Sequence, residues 1–380
     1  MDFTIDAERQ ALIDAVKSFV ESSVDPRMDE IEATNSIPAK LLTGAASLGL
    51  FGMSIPEEYG GTALDRFSRA LVHQTLGRSG FGFAGVISAH TGIGSDGLVL
   101  LGSENQKQRY LPRMASGEMR AAFAITEPDA GSDAGGIKTH ARKIGDRYLL
   151  NGVKCYISGG SKADLITVIA RTNAEKADKE FSVFLVEPKF PGFRIGQVYD
   201  TMGTRGQPIA ELVFEDCEVP VENRLGQEGG GWLAAMRILS NARPLVAARC
   251  VGACDKLLEI STDWARTRKQ FGKAIAEFQA IQFMLADMAT RTEAARWLTY
   301  KAAIDTDKGT ATAATISMAK LFASEALAFV ADSALQIQGG AGYISGNPVG
   351  RFYRDARITR IYEGTSEIQR LIIGRALVRQ

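Results

Sequence analysis

The chain of 380 residues lacks any net charge, because 44 Lys plus Arg offset 44 Asp plus Glu. Without a global field nothing recruits nucleic acid or an acidic membrane surface, and a polyanionic ligand would need a local cluster of cations. Cysteine is scarce. Cys155, Cys217, Cys250 and Cys254 show no metal-ligand spacing, and the last two sit one helical turn apart in an apolar run, which predicts buried free thiols in a reducing compartment. Only three histidines occur, His73, His90 and His140, scattered without an acid or thiol partner, so no metal site is expected. The sequence has no internal repeat or low-complexity tract, and its apolar runs are read as falling short of the ~18 residues of a membrane span. A non-secreted, non-membrane, cytoplasmic protein is expected; a mature mitochondrial-matrix chain fits the same pattern.

Hydrophobic residues make up 45% of the chain, ample for a large core divided over two or three domains. Leu12, Ile13, Val16, Phe19 and Val20 follow helical spacing, which predicts an N-terminal helical domain over 1–118. Short β-rich runs at 148–150, 165–170, 181–186 and 211–214 predict a middle β domain, barrel-like or a sandwich, over 119–228. Asn151-Gly152 is read there as a hairpin turn, since both residues tolerate positive φ. Helical spacing returns after Gly229-Gly230-Gly231, with Phe278, Ile281, Met284, Leu285 and Met288 on one face and an Ala-rich run over 311–334. A C-terminal four-helix bundle is expected over 229–380. The class is thus α+β multidomain.

Two stretches fit the dinucleotide pattern G-x-G-x-x-G, at 80–85 and 92–97. That fingerprint requires a preceding strand within a βαβ unit, and neither copy follows one, so close helix packing is the expected role. Near the C-terminus, Tyr362-Glu363-Gly364-Thr365-Ser366 sets a carboxylate beside a glycine and two hydroxyls. A residue without Cβ after Glu363 lets a ligand approach backbone amides while the carboxylate faces the same atom, as a general base would need. The same letters also read as a helix start, with Thr365 or Ser366 as cap and Glu363 solvated.

Five segments in order carry a resemblance: Ile125-Thr126-Glu127-Pro128-Asp129-Ala130-Gly131-Ser132, Asn151-Gly152-Val153-Lys154-Cys155-Tyr156-Ile157-Ser158, Arg268-Lys269-Gln270-Phe271-Gly272-Lys273, Gln336-Ile337-Gln338-Gly339-Gly340, and the Glu363 segment. Together they resemble the acyl-CoA dehydrogenase family over essentially the whole chain. The resemblance implies FAD between the β domain and the C-terminal bundle, with its ring against Tyr156, Ile157 and Ser158. Phe123, Ile125, Thr126, Gly131 and Ser132 are implied in holding the flavin half. Arg268, Gln270, Phe271, Phe278, Gln279, Gln336, Ile337, Gln338, Gly339, Gly340, Thr365 and Glu367 are implied on the remainder, Arg268 as a guanidinium fork on the phosphates from a neighbouring subunit. Ser158 stands where Thr is usual, and Tyr156 where many members carry Trp near the electron exit.

The implied reaction is α,β-dehydrogenation of an acyl-CoA. Glu363 takes the α-proton while hydride leaves the β-carbon for the flavin, and the Glu363 amide with a ribityl hydroxyl supports the enolate oxygen. Ser132, Arg243, Tyr362 and Gly364 join Glu363 in binding substrate. Some members carry the base at the position of Ala242, which cannot accept a proton. The resemblance further implies an electron-transferring flavoprotein as acceptor, a role in fatty-acid β-oxidation and a homotetramer built as a dimer of dimers. Alternatives are an enoyl-CoA reductase or oxidase on the same fold, or a non-catalytic acyl-CoA-binding scaffold. A decarboxylating glutaryl-CoA enzyme would want an arginine for the distal carboxylate, which residues 81–84 do not supply.

Overall fold

Asp6 opens the first helix by accepting from Arg9 N at 2.8 Å, Asp65 opens another through Ser68 N at 2.6 Å, and Ser103 with Gln106 forms a reciprocal capping box. These caps open α1, α4 and α7 of the helices that fill this region among the described residues: α1 (Ala7–Phe19), α2 (Met28–Thr34), α3 (Ala39–Ser47), α4 (Arg66–Gly77), α5 (Phe81–Ser88), α6 (Asp96–Leu101) and α7 (Glu104–Ala115). Val16, Val20, Leu41, Phe51, Leu76, Phe83 and Ile87 form their shared core. The computed structural model describes residues 3–172 and 180–378.

One sequence expectation fails in these helices and again near the C-terminus. Phe81–Leu101 and Ala313–Ala341 are each long and apolar enough to cross a membrane. The small polar residues interrupting them, such as Ser88, Thr91 and Ser95, hardly lower the mean hydropathy. The protein itself buries 72% of the first window and 50% of the second, as core helices require. Apart from Gly80, which precedes α5 with φ +101°, both G-x-G-x-x-G copies lie here in helical backbone. A Cβ on Gly82 would stand 1.9 Å from Arg205 O and one on Gly85 2.2 Å from Gln207 Oε1, so these glycines admit a loop of the β region.

Among the described residues the middle region has eight strands in one sheet: β1 (Ala121–Ala124), β2 (His140–Ile144), β3 (Arg147–Ser158), β4 (Leu165–Arg171), β5 (Phe181–Val186), β6 (Phe193–Tyr199), β7 (Ile209–Pro220) and β8 (Arg224–Leu225). The order is β6-β7-β3-β2-β4-β5-β8, with β1 parallel to β4. Alternate residues of both halves, including Ala122, Tyr148, Leu150, Val168, Phe184 and Phe214, enclose one core. The opposite faces of β1, β4 and β5 pack Phe123, Leu165, Ile169 and Leu185 against Tyr110, Leu111, Ala235 and Ile238 of the helices. β4 and β5 are therefore buried on both sides, which is why they read as continuous apolar runs.

Asn151-Gly152 is not the hairpin turn. It lies inside β3, at a register shift between Leu150 and Gly152. The Asn151 side chain exchanges two hydrogen bonds with Asp216 (2.9 and 2.8 Å), fixing a bulge against β7, and the turn into β3 is made instead by Gly145-Asp146, with Gly145 at φ +59°. Gly152 has φ +147°, and a Cβ there would stand 2.4 Å from Thr139 Oγ1. Gly152→Ala is expected to destabilise the protein by about 2–3 kcal/mol in a denaturant melt.

The C-terminal region holds α8 (Gly231–Thr267), the short pair β9 (Lys269–Gln270) and β10 (Lys273–Ala274), α9 (Gln279–Asp307), α10 (Ala313–Gln338), α11 (Pro348–Thr359) and α12 (Ser366–Val378). The expected four-helix bundle thus carries a fifth helix, α11, whose side chain Asp355 ties the regions together. Buried Asp355 accepts from Phe81 N at 2.9 Å, at the start of α5, and from Thr204 N at 2.5 Å, in the β6–β7 loop. Phe278, Ile281, Met284 and Leu285 pack on the same core as Met288, Val246, Ala319 and Leu327, as their spacing required. All four cysteines are buried and free. His90 is a core residue, its Nε2 bonded to Met114 O and its Nδ1 accepting from Ala121 N, both at 3.1 Å.

Candidate functional site

After α11 the chain cannot continue as helix, because Glu363 (φ +53°) and Gly364 (φ +96°) are both left-handed. A left-handed glutamate is unfavourable alone, so its surroundings must hold it. Arg243 Nε of α8 donates to Glu363 O at 3.1 Å, and Gln369 Nε2 of α12 to Glu363 O at 3.3 Å and Gly364 O at 3.0 Å. Lys320 Nζ of α10 donates to Gly364 O at 2.7 Å. Three helices therefore clamp two successive carbonyls. The turn's own bonds run from Tyr362 N to Ile358 O and from Ser366 N to Arg360 O, passing over the Glu363 amide.

The Glu363 carboxylate is not the solvated side chain of a simple helix start. Its Oε2 is buried and has no hydrogen-bond partner. Burial pushes its proton affinity up, opposed by the cations Arg249, Lys320 and Arg243. Burial likewise lowers Arg243, and brings Lys320 down to about 8 despite the nearby Glu363. Arg249 is buried; its guanidinium donates to Tyr362 Oη at 3.3 Å and lies over the Phe81 and Tyr362 rings, 5.6 and 5.8 Å from their centroids. Ala242 is buried beside Gly92, and no acid stands there.

A second cluster forms where β3 meets the loop after β1. Cys155 N donates to Thr126 O at 2.9 Å, joining the two segments. Lys154 Nζ, fully buried, bonds Glu127 Oε1 at 2.8 Å and Ile125 O at 2.9 Å, while Glu127 also accepts from the amides of Lys138 and Thr139. Burial pushes Lys154 down to about 8; it also opposes the Glu127 carboxylate, but Lys154 and the two amides outweigh it and keep that group below its ordinary range. The pair braces Thr126 against β3. Next to it Tyr156 is left-handed (φ +58°), 65% exposed, with its ring 5.1 Å from Tyr199. Phe123 and Ile157 turn their side chains into the cores, so they offer a ligand backbone alone. Thr126 and Ser158 are half-buried, and Gly131 and Ser132 exposed.

Arg268, Gln270 and Gln279 are exposed around the β9–β10 turn, where Phe271 (φ +52°) is 93% exposed, its ring 6.1 Å from that of Phe278. At the end of α10, Gln336 is exposed, Ile337 is buried, and Gln338 accepts from Asn347 Nδ2 at 2.8 Å. A Cβ added to Gly339 or Gly340 would meet nothing within 4 Å. Thr365 Oγ1 caps α12 through Ile368 N at 3.3 Å, and Glu367 is exposed in its first turn. Among the described residues no group of His, Cys, Asp or Glu forms a metal site.

Sequence reasoning missed Lys320, Arg249 and Gln369. A signal existed for the first two: each is a lone cation inside an apolar helical run, Met318-Ala319-Lys320-Leu321-Phe322 and Val246-Ala247-Ala248-Arg249-Cys250-Val251. Such a cation is buried for a reason.

Residues 6–118 match the N-terminal domain, 122–217 the middle domain and 229–378 the C-terminal domain described for acyl-CoA dehydrogenases. The acryloyl-CoA reductase (NADH) of Anaerotignum propionicum is 41% identical, over 100% of this chain and 97% of its own. The butyryl-CoA dehydrogenase of Megasphaera elsdenii superposes with a TM-score of 0.96 at 38% identity, covering all of both chains. A chain from a structure described as the electron transferring flavoprotein of Acidaminococcus fermentans gives 0.97 at 40% identity, again over both full lengths.

Proposed function

The chain belongs to the acyl-CoA dehydrogenase family of FAD-dependent oxidoreductases, and from that premise we propose that it oxidises an acyl-CoA to the trans-2-enoyl-CoA with Glu363 as base. The observation that carries the reading is the buried, unpartnered Glu363 Oε2 on a strained turn clamped by Arg243, Lys320 and Gln369. A carboxylate whose proton affinity is raised by burial is closer to that of an activated carbon acid, as proton abstraction beside a thioester requires.

The residues present fit FAD. Gly131, Gly339 and Gly340 face open space where a side chain would stand, leaving bare backbone for close approach to a ring edge or a pyrophosphate. Thr126, Ser158 and the backbone of Tyr156 to Ser158 would hold the isoalloxazine, and Arg268 with Gln270 would meet the phosphates of a neighbouring protomer's cofactor. Bound FAD supplies the acceptor for hydride from the β-carbon. The chain's own part is the proton and the charge: Glu363 Oε2 takes the α-proton, and the Glu363 amide donates to the thioester oxygen as enolate charge develops. Arg243 and Gln369 keep that amide and the carboxylate on one turn; Ser132, Tyr362 and Gly364 complete the substrate wall.

The relative named acryloyl-CoA reductase favours a second reading, in which the same groups run in reverse and the electron partner sets the direction. An electron-transferring flavoprotein is the proposed partner, supported by the Acidaminococcus neighbour. A homotetramer is proposed too, supported by the exposed apolar side chains Leu233, Phe271, Tyr343 and Ile344 of the C-terminal region. Bacterial relatives support a cytoplasmic setting.

Anaerobic addition of butyryl-CoA should bleach the flavin and yield crotonyl-CoA. A colourless preparation that takes up no FAD would overturn the reading. In steady state kcat/KM should fall as pH drops through the raised value of Glu363, above the ordinary carboxylate range, because only the ionised base works. Lys320→Met removes a cation that favours that ionised form, so this acid limb should move to higher pH. An unmoved limb would take Lys320 out of the tuning.

A further inference from the structure

The base is surrounded by cations, and one of them, Arg249, neither holds the backbone turn nor makes a hydrogen bond to a carboxylate. Arg243 and Lys320 hold the backbone turn, whereas Arg249 makes one side-chain bond, to a neutral phenol, and rests on two aromatic faces. It is 3% exposed, its Nε has no partner, and among the described residues it enters no ion pair. His73 on α4, whose proton affinity is lowered by burial and by Arg249 and Arg69, is fully buried with both ring nitrogens unpartnered. Arg69 differs, since it is paired with Asp96. Glu363 acts on Arg249 through space only, with no hydrogen bond or ion pair between them, and a guanidinium so held in a dry site is expensive and is retained where an anion arrives to meet it.

The position says which anion. Arg243 and Arg249 lie on the same helix, six residues apart, which is about 9 Å along the axis. Arg243 marks the turn that carries the base, and Tyr362, the neighbour of Glu363, is the residue Arg249 bonds. A thioester seated at Glu363 would extend a short acyl chain toward Arg249 and His73. Residues 81–84 indeed contain no arginine, yet α8 delivers one to the Phe81 ring.

We propose that Arg249, flanked by His73, binds a carboxylate at the far end of the acyl chain, so that the substrate class is a mono-CoA thioester of a short dicarboxylic acid. This rests on the dehydrogenase reading and adds specificity to it; the bonds made and broken at the α- and β-carbons are unchanged. The guanidinium forks onto both carboxylate oxygens, and the imidazole N–H adds a third donor.

The test compares glutaryl-CoA with hexanoyl-CoA, a neutral chain of similar reach, in binding by calorimetry and in anaerobic flavin bleaching. The wild type should favour glutaryl-CoA by about 10²–10³-fold in both Kd and kcat/KM. Arg249→Met should abolish or reverse the preference, and Arg249→Lys should restore part of it, because it keeps the charge and loses the fork. A wild type that prefers hexanoyl-CoA, or a preference equal in the wild type and Arg249→Met, overturns the proposal. If neither thioester bleaches the flavin, the dehydrogenase reading fails separately, and the binding ratio still decides whether Arg249 selects a carboxylate.

Discussion

Glu363→Gln should lower kcat by about 10³–10⁴-fold, or roughly 4–5.5 kcal/mol in the barrier, while leaving FAD content and acyl-CoA affinity close to wild type. The amide has the shape of the carboxylate, so the clamp on the backbone carbonyls from Arg243, Gln369 and Lys320 is untouched. It cannot accept a proton, however. Since burial disfavours the charged carboxylate, the variant should melt no lower than the wild type, which separates loss of the base from loss of fold. Stopped-flow mixing with saturating acyl-CoA would measure it directly: the flavin should stay oxidised over the time in which the wild type bleaches. Unchanged turnover would place the base elsewhere, and the neighbouring helix offers only Ala242 at the alternative position.

The particular elements show which parts of this arrangement a linear reading can reach. Helical spacing around Val16 and Met288 and the apolar runs of β4 and β5 were legible because burial acts on each element separately. Asn151-Gly152 was misread because the same positive-φ preference serves a turn or a bulge, and what decides is Asp216 on β7, 65 residues away. Likewise Glu363 was legible as a residue but not as an environment. Its burial, its left-handed backbone and its three clamps come from α8, α10 and α12, and no local window contains them all. Arg249 shows the same limit from the other side: an arginine sought near Phe81 in sequence arrives there in space from α8.

The turn that carries the base follows α11, which is bonded to both other regions, so the docking of the three regions should matter as much as the clamp. Asp355 of α11 is a side chain that touches all three, accepting from Phe81 N in the first region and Thr204 N in the second. Thr204 is itself left-handed (φ +54°), a conformation that an outside acceptor must support. Asp355→Ala leaves both amides buried without a partner, and each such loss costs about 1–3 kcal/mol. The expected total is about 3–5 kcal/mol, visible as a lower denaturation midpoint. Asp355→Asn retains one acceptor oxygen and should lose about half as much. Because Glu363 lies eight residues further along, the alanine variant should also hold its flavin less tightly, and its residual activity should fall more steeply with temperature than that of Glu363→Gln. An alanine variant as stable as the wild type would mean that the remaining contacts, such as Asp307 with Arg66 N and Gln106 with Arg224 O, dock the three regions, and that Asp355 is an unneeded buried charge.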